Sequence, residues 1–101
     1  MEVVIGPLSQ IPPGEGRNFV VGELKIAVFH LRDGRVYAVQ SDCPHRGGPL
    51  ADGLTDDRHV VCPLHDRVYD LETGQELGAD CKLQVYTART DLGGMILVQT
   101  Q

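Results

Sequence analysis

Two short segments, "CPHRGGPL" at 43–50 and "CPLH" at 62–65, each place a histidine within three positions of a cysteine. The pairs are Cys43-x-His45 and Cys62-x-x-His65, with sixteen residues between them. A lone cysteine or histidine is most often a buried thiol or a surface imidazole, and neither constrains a fold. Four of them in two close pairs form a candidate ligand set, because thiolate and neutral imidazole are both good ligands for zinc and iron. Any fold open to this chain must then carry both segments on loops that converge. Pro44, Pro49 and Pro63 stiffen those loops, and Gly47 and Gly48 let the first one turn tightly.

Around these segments the pattern is all-β. "KIAVFHLRDGRVYAV" (25–39) gives two apolar runs joined at Asp33-Gly34, a dipeptide suited to the positive φ angles of a tight hairpin. Further strands are predicted in "NFVVG", "HVVC", "RVYDL", "KLQVYTA" and "MILVQ". Turn signals at Gly22-Glu23, Thr73-Gly74 and Gly93-Gly94 separate them. "IPPGEG" (11–16) is excluded from strand or helix interior, because its two prolines remove donors and fix φ. No stretch has the apolar spacing of a long helix. Residues 43–58 hold two prolines and three glycines and read as a long inter-strand connection, the kind of loop that usually carries function. One compact antiparallel β domain is expected over 1–101, with the ligand-bearing part at about 40–75.

Composition narrows the function. Of 101 residues, 42% are hydrophobic and 23% charged, which is ordinary for a soluble globular chain. The apolar runs fall far short of the ~20 residues needed to span a bilayer. Met1-Glu2-Val3-Val4 shows no basic region ahead of an apolar core, so a cytoplasmic location is expected. The net charge of -5 argues against a nucleic-acid partner. It is uneven: residues 51–80 carry eight acids against Arg58 and Arg67 alone, a candidate acidic docking patch. Three cysteines allow at most one disulfide, and without an export signal a metal accounts better for Cys43 and Cys62. Cys81 is expected to be a packed thiol, and His30 and His59 to be structural. No Ser-His-Asp set, phosphate loop or paired carboxylates point to substrate chemistry.

The remaining contest is between a zinc-stabilised interaction module and an iron–sulfur protein. Zinc fingers usually pair Cys with Cys and His with His along the chain. Here each loop supplies one of each, which suits a binuclear centre. In this respect the chain resembles the Rieske 2Fe-2S proteins, whose signature is Cys-x-His and Cys-x-x-His on two loops. The resemblance implies a Rieske-type antiparallel β sandwich or barrel with a small cluster-binding subdomain formed by the two loops. It implies that Cys43 and Cys62 bind the inner iron of a 2Fe-2S cluster, and that His45 and His65 bind the outer one. It also places an aromatic near the cluster at Tyr69, where a plain core tyrosine is the alternative.

Respiratory and photosynthetic members carry an extra cysteine in each loop and a serine shortly after the second. The matching positions here are Gly48, Leu64 and Arg67, so the chain resembles the lower-potential ferredoxin branch. Within it, "DCPHRGGPLADG", "VVCPLHDRVYDLETG" and "LQVYTARTD" most resemble the small subunit of NAD(P)H-dependent nitrite reductase. That implies an electron-transfer role beside a flavin- or sirohaem-containing oxidoreductase subunit, with no nucleic-acid or membrane partner. The ferredoxin of a multicomponent aromatic-ring dioxygenase is the other reading.

Overall fold

The computed structural model describes residues 2–44, 48–63 and 66–100. Among the described residues nine strands form: β1 (Glu2–Pro7), β2 (Glu15–Val21), β3 (Leu24–His30), β4 (Val36–Gln40), β5 (Leu54–Thr55), β6 (His59–Val61), β7 (Val68–Asp70), β8 (Val85–Thr90) and β9 (Met95–Gln99). All pairings are antiparallel, in a six-stranded sheet ordered β1-β9-β8-β4-β3-β2 and a three-stranded sheet β5-β6-β7. The predicted all-β class is the observed one, and among the described residues the only helical turns are short 3-10 segments at Leu8–Gln10 and Leu50–Asp52.

The hairpin predicted at Asp33-Gly34 joins β3 to β4. Gly34 adopts φ +94°, its N–H donates to the Leu31 carbonyl (3.0 Å), and the Asp33 carboxylate accepts the Arg35 N–H (3.0 Å). β3 is the wall between two cores. Ile26 and Val28 face Ile11, Ala38, Ile96 and Val98, while Ala27 and Phe29 face Leu50, Val60, Tyr69, Leu71 and both candidate cysteines. Because its neighbours β2 and β4 satisfy the backbone on either side, all four residues 26–29 can be fully buried. The second of these cores is what the three-stranded sheet sits on.

Four segments differ from the sequence expectation. β1 was not predicted; its half-buried residues have little pattern of their own, and pairing with β9 makes it a strand, with a bulge between Val4 and Gly6. β5 lies inside the predicted long connection and is only two residues long. "IPPGEG" is a turn only as far as Gly14, and Glu15 and Gly16 already belong to β2. Gly16 stands opposite Phe29, whose ring would lie 2.7 Å from any added Cβ, so the bare backbone lets the aromatic pack. "KLQVYTA" becomes strand only from Val85.

Gly74 and Gly78 both have positive φ, +83° and +79°. An added Cβ at Gly74 would collide with the Leu83 carbonyl, whereas at Gly78 it would meet open space. Gly78→Ala should therefore cost only the left-handed conformation, about 1–2 kcal/mol. Gly74→Ala should cost clearly more, about 3 kcal/mol or above once the clash is added. Urea unfolding midpoints compare the two, and equal losses would contradict this account.

Candidate metal centre

Both ligand segments are closed by the same device. The Cys43 N–H donates to the carbonyl of Gly48 (2.7 Å), and the Cys62 N–H donates to the carbonyl of Arg67 (2.8 Å). Each cysteine thus stands at the base of a six-residue loop whose ends are tied together. The first loop leaves β4 and is clamped further by the Leu50 N–H on the Ser41 carbonyl (3.1 Å) and by pairing of Asp42 with Pro49. The second joins β6 to β7. There the Asp66 N–H donates back to the Cys62 carbonyl (3.0 Å), and Asp66 is the one non-glycine with positive φ among the described residues (56°). Aspartate tolerates that conformation better than most side chains. His45 and His65, and with them Arg46, lie outside the described residues.

Cys43 and Cys62 are 2% and 0% exposed and belong to one buried cluster with Phe29, Leu50, Val60 and Tyr69. Tyr69 is fully buried, and its hydroxyl lies 3.2 Å from the Cys43 sulfur. Burial, followed by that hydrogen bond, pushes the phenol pKa far up, so the hydroxyl keeps its proton. Of the two alternatives at Tyr69, the observed residue is both: a core ring with its hydroxyl at a candidate ligand. Two soft sulfur donors in an apolar pocket, each at the base of a loop that also contains an imidazole, fit a mixed-ligand iron–sulfur cluster.

Outside the set, His30 Nδ1 lies 2.7 Å from the Ile11 carbonyl and His59 Nδ1 lies 2.9 Å from Asp56, both structural as expected. Cys81 is half-buried against the same core as the candidate cysteines. The expected acidic patch is reduced. Asp70 and Glu76 are buried at 5% exposure, bound to Arg58 (2.8 Å) and Arg67 (2.7 Å) respectively. Asp56 and Asp57 occupy the β5–β6 turn, at the opposite end of β6 from Cys62. Sequence reasoning missed the roles of Asp70 and Glu76, because nothing in "YDLETGQELG" separates them from the exposed Glu72.

A family model described as the Rieske [2Fe-2S] domain matches residues 1–88. Among curated proteins, the chain is 29% identical over 87 residues to the ferredoxin component of a naphthalene 1,2-dioxygenase system of Pseudomonas aeruginosa, covering 86% of this chain and 83% of that one. Among solved structures, it superposes with TM-score 0.90 and 27% identity on a Mycobacterium tuberculosis chain assigned as an NADH-dependent nitrite reductase small subunit, covering 97% and 93% of the two chains. The ferredoxin of carbazole 1,9a-dioxygenase from Nocardioides aromaticivorans gives TM-score 0.88 at 28% identity, covering 100% and 99%.

Asp70 anchors the turn after the second loop by accepting the N–H groups of Glu72 (2.8 Å) and Thr73 (3.1 Å). Burial raises its pKa, but those donors and Arg58 outweigh it, and the net position is below the ordinary 3.8. A depressed folded pKa contributes stability that is present above 3.8 and is lost as pH falls through the lower folded value. Asp70→Asn should therefore cost about 2 kcal/mol at neutral pH. It should also flatten the loss of stability below about pH 4. Thermal midpoints measured from pH 7 to pH 2 check this, and parallel curves for the two proteins would refute it.

Proposed function

The chain belongs to the Rieske [2Fe-2S] domain family, and on that premise we propose that it is a cytoplasmic electron carrier, a single domain over 1–101. Cys43 and Cys62 hold one iron of a Rieske-type 2Fe-2S cluster, and His45 and His65 hold the other. The observation that carries the ligand assignment is the pair of matched loop closures with a buried cysteine at each base. When bound, the cluster accepts one electron and gives it back, with no substrate bond made or broken. The protein's own residues supply the setting. Phe29, Leu50 and Val60 keep water from the sulfurs, and the Tyr69 hydroxyl is poised to donate to the Cys43 sulfur. Two neutral imidazoles in place of two thiolates make the ligand set less negative and ease reduction.

A surface for the partner lies beside the second loop. The register Leu54↔Val61↔Val68, extended by the Leu77 N–H on the Val68 carbonyl (2.8 Å), makes an apolar row across the outer face of the small sheet. Its ends are open, Leu54 at 79% and Leu77 at 53% exposure, and it runs one residue from Cys62 and Arg67. Such a row suits a transient complex in which apolar contact, more than charge, brings the cluster close. The partner we favour is the flavin- and sirohaem-containing subunit of an NAD(P)H-dependent nitrite reductase, in line with the Mycobacterium tuberculosis likeness. The naphthalene dioxygenase ferredoxin likeness favours a second reading, delivery of electrons to an aromatic-ring oxygenase. Loss of growth on nitrite after gene deletion supports the first; loss of growth on an aromatic carbon source supports the second.

Purified protein should be red-brown, with about two irons and two labile sulfides per chain. Cys62→Ser should abolish the colour. Tyr69→Phe should keep it and lower the potential, because a donor to a ligand sulfur is lost. With Gly48, Leu64 and Arg67 in their places, the wild-type potential should sit nearer about -150 mV than +300 mV. Stoichiometric zinc without labile sulfide would sink the cluster assignment.

Docking is tested separately. Leu54→Ser with Leu77→Ser should slow electron exchange with the partner several-fold while leaving the visible spectrum and thermal midpoint in place. Unchanged exchange kinetics would remove the apolar row from the interface.

A further inference from the structure

Glu76 is a buried acid with unequal oxygens. Oε2 accepts from Arg67 Nη1 at 2.7 Å, while Oε1 is buried and has no hydrogen-bond partner among the described residues. A buried carboxylate left half-satisfied is costly, and an amide or apolar side chain would fasten the same turn more cheaply. What only the charged pair provides is a fixed field. Its location gives that field a target. Glu76 pairs with Tyr69, whose hydroxyl touches the Cys43 sulfur, and its N–H donates to the Cys81 carbonyl (2.9 Å). Arg67 closes the second loop, its carbonyl accepting the Cys62 N–H. The two charges therefore meet 2.7 Å apart, on residues whose backbones are tied to Cys62 (through Arg67) and to Tyr69 (through Glu76).

We propose that the Arg67–Glu76 ion pair positions the second ligand loop and sets the readiness of the cluster to accept an electron, the two charges acting in opposite directions. The proposal rests on the cluster ligation by Cys43, His45, Cys62 and His65 given above. Arg67, one-third exposed, holds the loop end by its backbone and is itself held by Glu76 through its side chain. A reduced cluster carries one more negative charge than an oxidised one. Removing the carboxylate should therefore favour reduction, and removing the guanidinium should oppose it. Because Glu76 is shielded from water, its contribution should be screened far less by salt than that of a surface acid.

The experiment is voltammetry on cluster-loaded wild type, Glu76→Gln, Arg67→Gln and the double variant, at low and high salt. The expected result is a higher potential for Glu76→Gln, a lower one for Arg67→Gln, and a return toward wild type in the double variant. Loss of iron to a chelator should be about tenfold faster in each single variant. Arg67→Lys and Glu76→Asp, which keep the charges, should restore both readouts in part. A purely structural pair would loosen the cluster in both single variants without opposite potential shifts, and shifts of the same sign, or none, would overturn the proposal. Should an amide variant load too little cluster to measure, recovery of loading by the charge-keeping variant supports the pair's role, and equal loss in both overturns it. Wild type lacking iron and labile sulfide would instead overturn the cluster assignment itself, and this proposal with it.

Discussion

Two backbone hydrogen bonds govern the ligand end of the molecule: Cys43 N–H to the Gly48 carbonyl and Cys62 N–H to the Arg67 carbonyl. Each closes a loop that its own sequence could not hold in one shape. Residues 43–48 and 62–67 contain few apolar side chains to bury, so it is closure that fixes the described loop ends. Closing a short loop costs little chain entropy and fixes the cysteine N–H, which in turn fixes where the sulfur points. The second loop also needs one residue in the left-handed region, and Asp66 supplies it. A β-branched residue there would reopen the loop at its base.

Those closures hold only because of what lies beneath them. β3 separates two cores, and the one that receives Phe29 also receives Leu50, Val60, Tyr69 and both cysteines. The small sheet is two or three residues deep in every strand, too short to be stable by itself. Its inward residues complete a core begun by the large sheet, so the loops are mounted on the most buried part of the protein. This is why an apolar pocket can hold two sulfurs away from water at the surface end of a small protein.

The strands that could be read from sequence were those that carry their own burial pattern. MILVQ alternates and is β9 as read, and KIAVFHLRDGRVYAV gives β3, the turn and β4. β1 and β5 were illegible because partners rather than composition make them strands. The four candidate ligands stood out because cysteine and histidine are scarce and their spacing was short. Asp70 and Glu76 did not, because in sequence a buried acid bound to an arginine looks like an acid in water. Only the antiparallel register, which sets Glu76 against Tyr69, turns one of many acids into a neighbour of the ligand site.

That register also changes what the net charge of -5 means. Read along the chain, residues 51–80 look like a negative surface for a basic partner. In the fold, two of those acids face inward against arginines, and Asp56 is occupied with the backbone N–H groups of Arg58 and His59. The sheet face nearest the second loop is instead an apolar row ending in Leu54 and Leu77. Under the proposed ligation, the charge of Arg67 and Glu76 is paired internally, and the exposed row at Leu54 and Leu77 is free for the brief apolar contact proposed above. An electron carrier needs both: a fixed internal field to set when it takes an electron, and a docking face that releases its partner afterwards.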